Sequence, residues 1–229
     1  MRLGLYLTAA TLAFLVQGCA ISQTYSAKPI TATVVDAETG EPLEGVHVVA
    51  HWLLHDRTSW RSAGDLELME SVTDKEGQFH FPGWKGKAPP KVGLYTARLD
   101  NVDPGMVLFK TGYQPRGVDN DLQPERLRDE NHTWERYSDW DGKVIKLQKF
   151  KGDLETYAVL VGGTTTNLGS GIPCPWKKFP RYMAALIKEK DRLNTLRVRN
   201  YLPSLETMER YFTNQGCGSA RDFFSEYLK

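Results

Sequence analysis

The chain has 229 residues, 41% apolar and 25% charged, with 29 Lys and Arg against 28 Asp and Glu for a formal net charge of +1. A chain of this length buries a real core and has room for one or two domains, and its balanced charge excludes general electrostatic binding to nucleic acid. The charge is unevenly spread: residues 28–150 carry 16 basic and 20 acidic side chains, net −4, and residues 151–229 carry 12 and 8, net +4.

Arg2 is followed by an uncharged, mainly apolar run from Leu3 to Val16. About 20 apolar residues are needed to cross a bilayer as a helix, so the run fits the apolar region of a signal peptide instead. Val16, Gln17, Gly18 and Cys19 resemble a bacterial lipobox, although Gln17 stands where a small residue is usual. The resemblance implies a lipoprotein signal peptide over residues 1–18, acylation (palmitate-type) of Cys19, and a lipidated tether over residues 19–27. A diacylglycerol plus an N-acyl chain exceeds the two signals that stable anchoring needs. Ala20 replaces the Asp that marks inner-membrane retention, so the expected place is the outer membrane, facing the periplasm. An ordinary cleaved signal or a retained anchor are the alternatives.

Residues 30–35 are rich in β-branched side chains and predict a strand. From Val46 onward the residues alternate: Val46, Val48, Ala50, Trp52 and Leu54 form one apolar face, and His47, Val49, His51, Leu53 and His55 a mixed one. Strand geometry puts such sets on opposite faces. Gly40, Pro42 and Gly45 punctuate the turn between these strands, and Gly77 supplies the left-handed residue of a second turn before Phe79 and Phe81 point inward. This order of turns and strands resembles the carboxypeptidase regulatory-like family, small β-sandwiches of transthyretin-like (prealbumin-type) topology. The resemblance spans residues 28–150 and implies an interaction, spacer or accessory module in place of a catalyst.

Residues 56–64 read as a loop, after which Leu66, Leu68 and Val72 are expected on one face with Glu70 out of pattern, at a bulge or edge. Residues 82–90 form a stiff connection, residues 94–99 and 106–110 further strands, and residues 143–150 a closing strand. Lys110, Thr111, Gly112 and Tyr113 resemble a strand end common in the family. Residues 114–141 are a long polar insertion, with a short helix expected around residues 122–136.

Tests for catalysis fail on the residues. His132 and Glu135 have the spacing of a zinc motif, but no histidine follows, and two ligands do not make a catalytic zinc site. The Tyr-Arg-Gly-Ser ending of hydroxyisourate hydrolases is absent. On a strand, His47, His51 and His55 lie roughly 13–14 Å apart per four residues, too far to share a metal. Residues 162–171 are Gly-rich but lack the lysine of a phosphate-binding loop and read as a linker. No metal, cofactor or enzymatic activity is expected.

Residues 153–161 are apolar-rich, helix or strand. Phe179, Tyr182, Met183, Leu186, Ile187 and Leu193 recur at helical spacing. Ser204 can cap a second helix burying Leu205, Met208 and Phe212, and Ser219 a third with Phe223, Phe224, Tyr227 and Leu228 inward. The fold class is therefore mainly β, a sandwich followed by a small helical unit over residues 151–229. With Cys19 lipidated, Cys174 and Cys217 remain, and an even pair in an oxidising periplasm reads as a disulfide; free buried thiols are the alternative. Residues 177–199 hold eight basic and two acidic side chains, a solvated face docked on the acidic half or a contact for an anionic surface. The expected function is an outer-membrane lipoprotein whose sandwich is an interaction or scaffold module. Its partners would be the membrane, through the lipid, and an envelope protein or glycan. The rival readings are a carbohydrate-binding module, with Trp60, Trp84 and Trp134 as a stacking platform, and a structural subunit of a secretion-type envelope assembly.

Overall fold

A computed structural model describes residues 24–100, 102–121, 133–166, 168–212 and 215–229. Cys19 and the whole leader therefore lie outside the described residues. Thirteen strands are formed among those described: β1 (Thr24–Ala27), β2 (Ile30–Asp36), β3 (His47–His55), β4 (Ser62–Val72), β5 (Gln78–Phe81), β6 (Trp84–Lys87), β7 (Lys91–Val92), β8 (Tyr95–Thr96), β9 (Arg98–Leu99), β10 (Gly105–Phe109), β11 (Arg116–Val118), β12 (Thr133–Arg136) and β13 (Val144–Leu147). Helices α1 (Leu154–Gly163), α2 (Pro180–Thr195), α3 (Leu205–Phe212) and α4 (Ala220–Phe224) follow, with a 3-10 turn at Pro175–Lys177.

The largest sheet has the order β11-β10-β3-β4, with β9 on the end of β3; two three-stranded sheets, β12-β1-β6 and β13-β2-β5, complete the sandwich. The alternation of β3 explains its place at the centre. Val46, Val48, Ala50, Trp52 and Leu54 are buried in the core between the sheets, with Phe79, Phe81, Leu99, Met106, Leu108 and Ile145. Fully burying each large apolar side chain contributes about 1.5–3 kcal/mol. The turn into β5 needs Gly77, whose φ is +71° and whose Cβ, if present, would stand 2.5 Å from the carbonyl oxygen of Val34.

The other face of the largest sheet is also covered. Val49, Leu68 and Phe109 pack into a second core with Tyr182, Leu186, Ile187 and Leu193 of α2, Tyr157 and Val161 of α1, and Trp176 and Phe224. The molecule thus has three layers, sheet, sheet and helices, and both faces of β3 are buried. Cys174 and Cys217 are disulfide-bonded, with Cα atoms 5.5 Å apart, and close the helical layer. Asp153, Ser204 and Ser219 cap α1, α3 and α4, accepting from the N–H of Thr156, Thr207 and Asp222 respectively, which settles residues 153–161 as helical. Among the described residues no helix is long and apolar enough to cross a membrane.

Three local expectations are corrected. The pairing of β4 with β3 shifts register where Glu67 faces Trp52 and Asp65 faces Leu53, leaving Leu66 as the extra residue of a bulge. Leu66 and Met69 therefore pack toward the sandwich core while Leu68 faces the helices, so Leu66 and Leu68 do not share a face. Residues 133–136 are a strand parallel to β1 in place of the helix expected there; residues 122–132 lie outside the described residues. Residues 94–99 do not make one strand: β7 and β8 form a tight hairpin through Gly93 and Leu94 before β9.

Candidate functional site

A cleft of about 510 Å³ opens where β3, β4 and β10 end beneath α2. Its floor follows from the strand register, which sets His47 beside Val72 on one side and Phe109 on the other. Lys110 and Thr111 continue from β10, Arg181, Ala184, Ala185 and Lys188 come from α2, and Tyr227 stands at the rim. Arg181 and Lys188 are seven residues apart, two helical turns, and so share one face; the small Ala184 and Ala185 between them leave the space open.

α2 is held over the sheet by an acid that sequence patterning left unexplained. Its N-cap, Phe179, offers no side-chain acceptor, and Pro180 at the first position has no N–H. Glu70 on β4 accepts from the N–H of Arg181 at 3.1 Å and of Tyr182 at 3.0 Å, answering the orphan donors and the positive end of the helix dipole. Burial nevertheless pushes the Glu70 carboxyl above its ordinary value, against the pull of those two N–H groups. Further along α2, Glu189 is buried and accepts from Arg192 and from the hydroxyl of Thr111. Lys190 donates to Asn200 and to the carbonyl of Leu202. The basic segment is thus not a uniform solvated face: of its basic side chains, Arg181 and Lys188 line the cleft.

The cleft is electropositive. Lys110 donates to the carbonyl of Glu44 at 2.7 Å, a neutral acceptor that orients its ammonium without cancelling the charge, and Lys188 donates to the main-chain oxygen of Lys229 at 3.2 Å. His47 is pushed down to about 4 by burial first, then by Lys110, Arg181 and Lys188, so it is neutral at pH 7.

The three histidines are dispersed, as strand geometry requires. His51 pairs with Asp65 at 3.2 Å and His55 with Asp100 at 3.0 Å. Asp65 also accepts from the N–H of Gly169 at 2.7 Å, so the Gly-rich segment is fastened to β4. Among the described residues no group of three His, Cys, Asp or Glu could hold a metal.

The expected tryptophan platform is corrected. Trp84 is 7% exposed and packs edge-on against Trp52 at 5.5 Å in the sandwich core. Trp134 is half-buried against the same core. Trp60 is 65% exposed, with the Arg98 guanidinium 4.0 Å from its ring centre. The three share no exposed face.

No protein-family model matches the sequence, and no curated protein is similar to it. Among solved structures, the chain is similar to a 3-chlorocatechol 1,2-dioxygenase from Rhodococcus opacus at TM-score 0.31 and 15% identity, over 56% of this chain and 62% of that one. It is similar to a chlorocatechol 1,2-dioxygenase from Pseudomonas putida at TM-score 0.30 and 16% identity, over 57% and 65%. A group B streptococcus pilus 2b backbone protein follows at TM-score 0.25 and 14% identity, over 54% and 41%. The chain spans less than two thirds of the length of each. The expectation of a non-enzyme stands corrected: two of these three neighbours are dioxygenases. At such TM-scores none of them assigns an activity or a partner to this chain.

Proposed function

We propose that the chain is a cell-envelope lipoprotein, held at the outer membrane through Cys19, whose carboxypeptidase regulatory-like sandwich and fastened helical layer present a surface to an envelope protein. The observation that carries this reading is the Cys174–Cys217 disulfide, because such bonds persist in oxidising compartments and are rare in reducing ones. It agrees with the compartment that the apolar run and the lipobox imply. The rigid contact between layers suits a scaffold, since α2 is locked to the sheet by Glu70 and Glu189. The carbohydrate-binding rival loses its platform with the burial of Trp84. Replacing Cys19 with Ala should release the protein from the membrane fraction; an unchanged membrane fraction would refute lipid anchoring. In-cell crosslinking should capture a protein partner, and recovery of lipid or glycan alone would sink the scaffold role.

A further inference from the structure

The cleft beneath α2 gathers positive charge that none of its own lining groups balances. Lys110, Arg181, Lys188 and His47 line it, and no carboxylate does. Of the acids packed nearby, both oxygens of Glu70 serve the N–H groups of Arg181 and Tyr182 while its carboxyl also feels the Arg181 charge, and Glu189 serves Arg192 and Thr111. The Arg181 guanidinium makes no side-chain hydrogen bond among the described residues, and Nδ1 of His47 is buried without a hydrogen-bond partner. A volume of about 510 Å³ is more than a bare ion fills.

We infer that this cleft binds a phosphoryl group, carried free or as a monoester on a small polar headgroup. A phosphoryl dianion offers three acceptor oxygens to three separate cations at once, where a carboxylate offers two oxygens and one charge. Arg181 supplies a planar fork and Lys110 and Lys188 supply point charges. The rim at Tyr227 and the small Ala184 and Ala185 leave room for an ester substituent. The groups facing His47 are Lys110 after β10, Arg181 and Lys188 on α2, Tyr227 after α4, and Glu70 of β4 beside Arg181. Burial first, and then the three cations, disfavour a proton on the imidazole; a bound dianion opposes the cations' field and draws one on. The inference does not depend on lipid anchoring.

The test uses the full chain in neutral detergent, titrated by calorimetry and by imidazole NMR with inorganic phosphate and, separately, with glycerol 3-phosphate, at ionic strength matched with sodium chloride. Saturable binding is expected, with the His47 pKa rising by about one unit. The double variant Arg181→Ala, Lys188→Ala should weaken binding by at least about tenfold while keeping its unfolding midpoint, since both side chains are exposed. Lys75→Ala, on an exposed turn, should bind as the unaltered chain does. Tighter binding of glycerol 3-phosphate assigns the site to a headgroup monoester, and equal affinity assigns it to free phosphate. No saturable binding of either probe, or a His47 shift that chloride reproduces, overturns the inference.

Discussion

Replacing Glu70 with Ala should loosen the start of α2, and with it the cationic cleft. Phe179 gives α2 no side-chain cap and Pro180 gives it no N–H, while the N–H of Met183 reaches the carbonyl of Phe179 at 3.1 Å. The N–H groups of Arg181 and Tyr182 remain, and Glu70 accepts from both. Losing a helix cap costs about 1 kcal/mol, and a buried donor left without a partner costs about 1–3 kcal/mol. Because water partly reaches this site, the low end applies, and Glu70→Ala should lose about 2–3 kcal/mol, roughly 5–10 °C in Tm for a chain of this size. Glu70→Gln keeps one acceptor and should lose less. The sign with pH is distinctive. Burial raises the folded pKa of Glu70 above its unfolded value, so the stability linked to this carboxyl is present below the unfolded pKa and lost as pH rises through the folded one. The unaltered protein should therefore gain stability relative to Glu70→Gln on acidification from neutral pH. Urea unfolding of all three proteins at neutral and mildly acid pH, read as midpoint shifts at constant slope, measures both effects. An Ala variant within about 0.5 kcal/mol of the parent at both pH values, or a gain of opposite sign, would refute the reasoning.

Gly77→Ala should destabilise by about 2–4 kcal/mol, because it combines a left-handed backbone with a Cβ set against main chain; a midpoint equal to the parent's would contradict the turn geometry. Replacing Cys174 and Cys217 with Ser opens a link across 43 residues and should cost up to about 4 kcal/mol, with proteolysis beginning in the helical layer; unchanged unfolding in urea would show that the loop is constrained by other means. Asp36 is held down to about 2 by the N–H of Glu38 and then of Thr39, with help from the Tyr113 hydroxyl and Lys149. Its folded pKa is lowered, so its contribution is present above the unfolded value and lost as pH falls toward 2. Asp36→Ala should lower the midpoint at pH 7, and the gap should close in acid; a gap of the same size at both pH values would argue against it.

Local physics was enough for much of this molecule. The period of two through residues 46–54 identified the strand face that fills the sandwich, because side-chain direction follows from backbone geometry alone. Ser204 and Ser219 could be read as cap residues for the same reason, each accepting from main chain three positions on, and Gly77 as a turn residue from its local sequence. The even cysteine pair and the helical spacing from Phe179 to Leu193 likewise needed no knowledge of the fold. Tertiary structure decided the rest. Val49 looked like a stray apolar residue on a mixed face until α1 and α2 were found to cover it. Glu70 looked like a break in a strand, yet its partners are 111 and 112 positions away, beyond any periodic signal. The parallel pairing of β12 with β1 joins segments more than 100 residues apart and overrode a local helical reading. Trp84 and Trp60 are the same residue type with opposite fates, set by which strand neighbours each meets. The cleft is the clearest case. The +4 charge of residues 151–229 and the seven-residue spacing of Arg181 and Lys188 were open to inspection, but only the docking of α2 on the ends of β3 and β10 brings them to His47 and Lys110. Side chains from three separate elements converge there because long-range packing, not sequence proximity, determines which groups share a field.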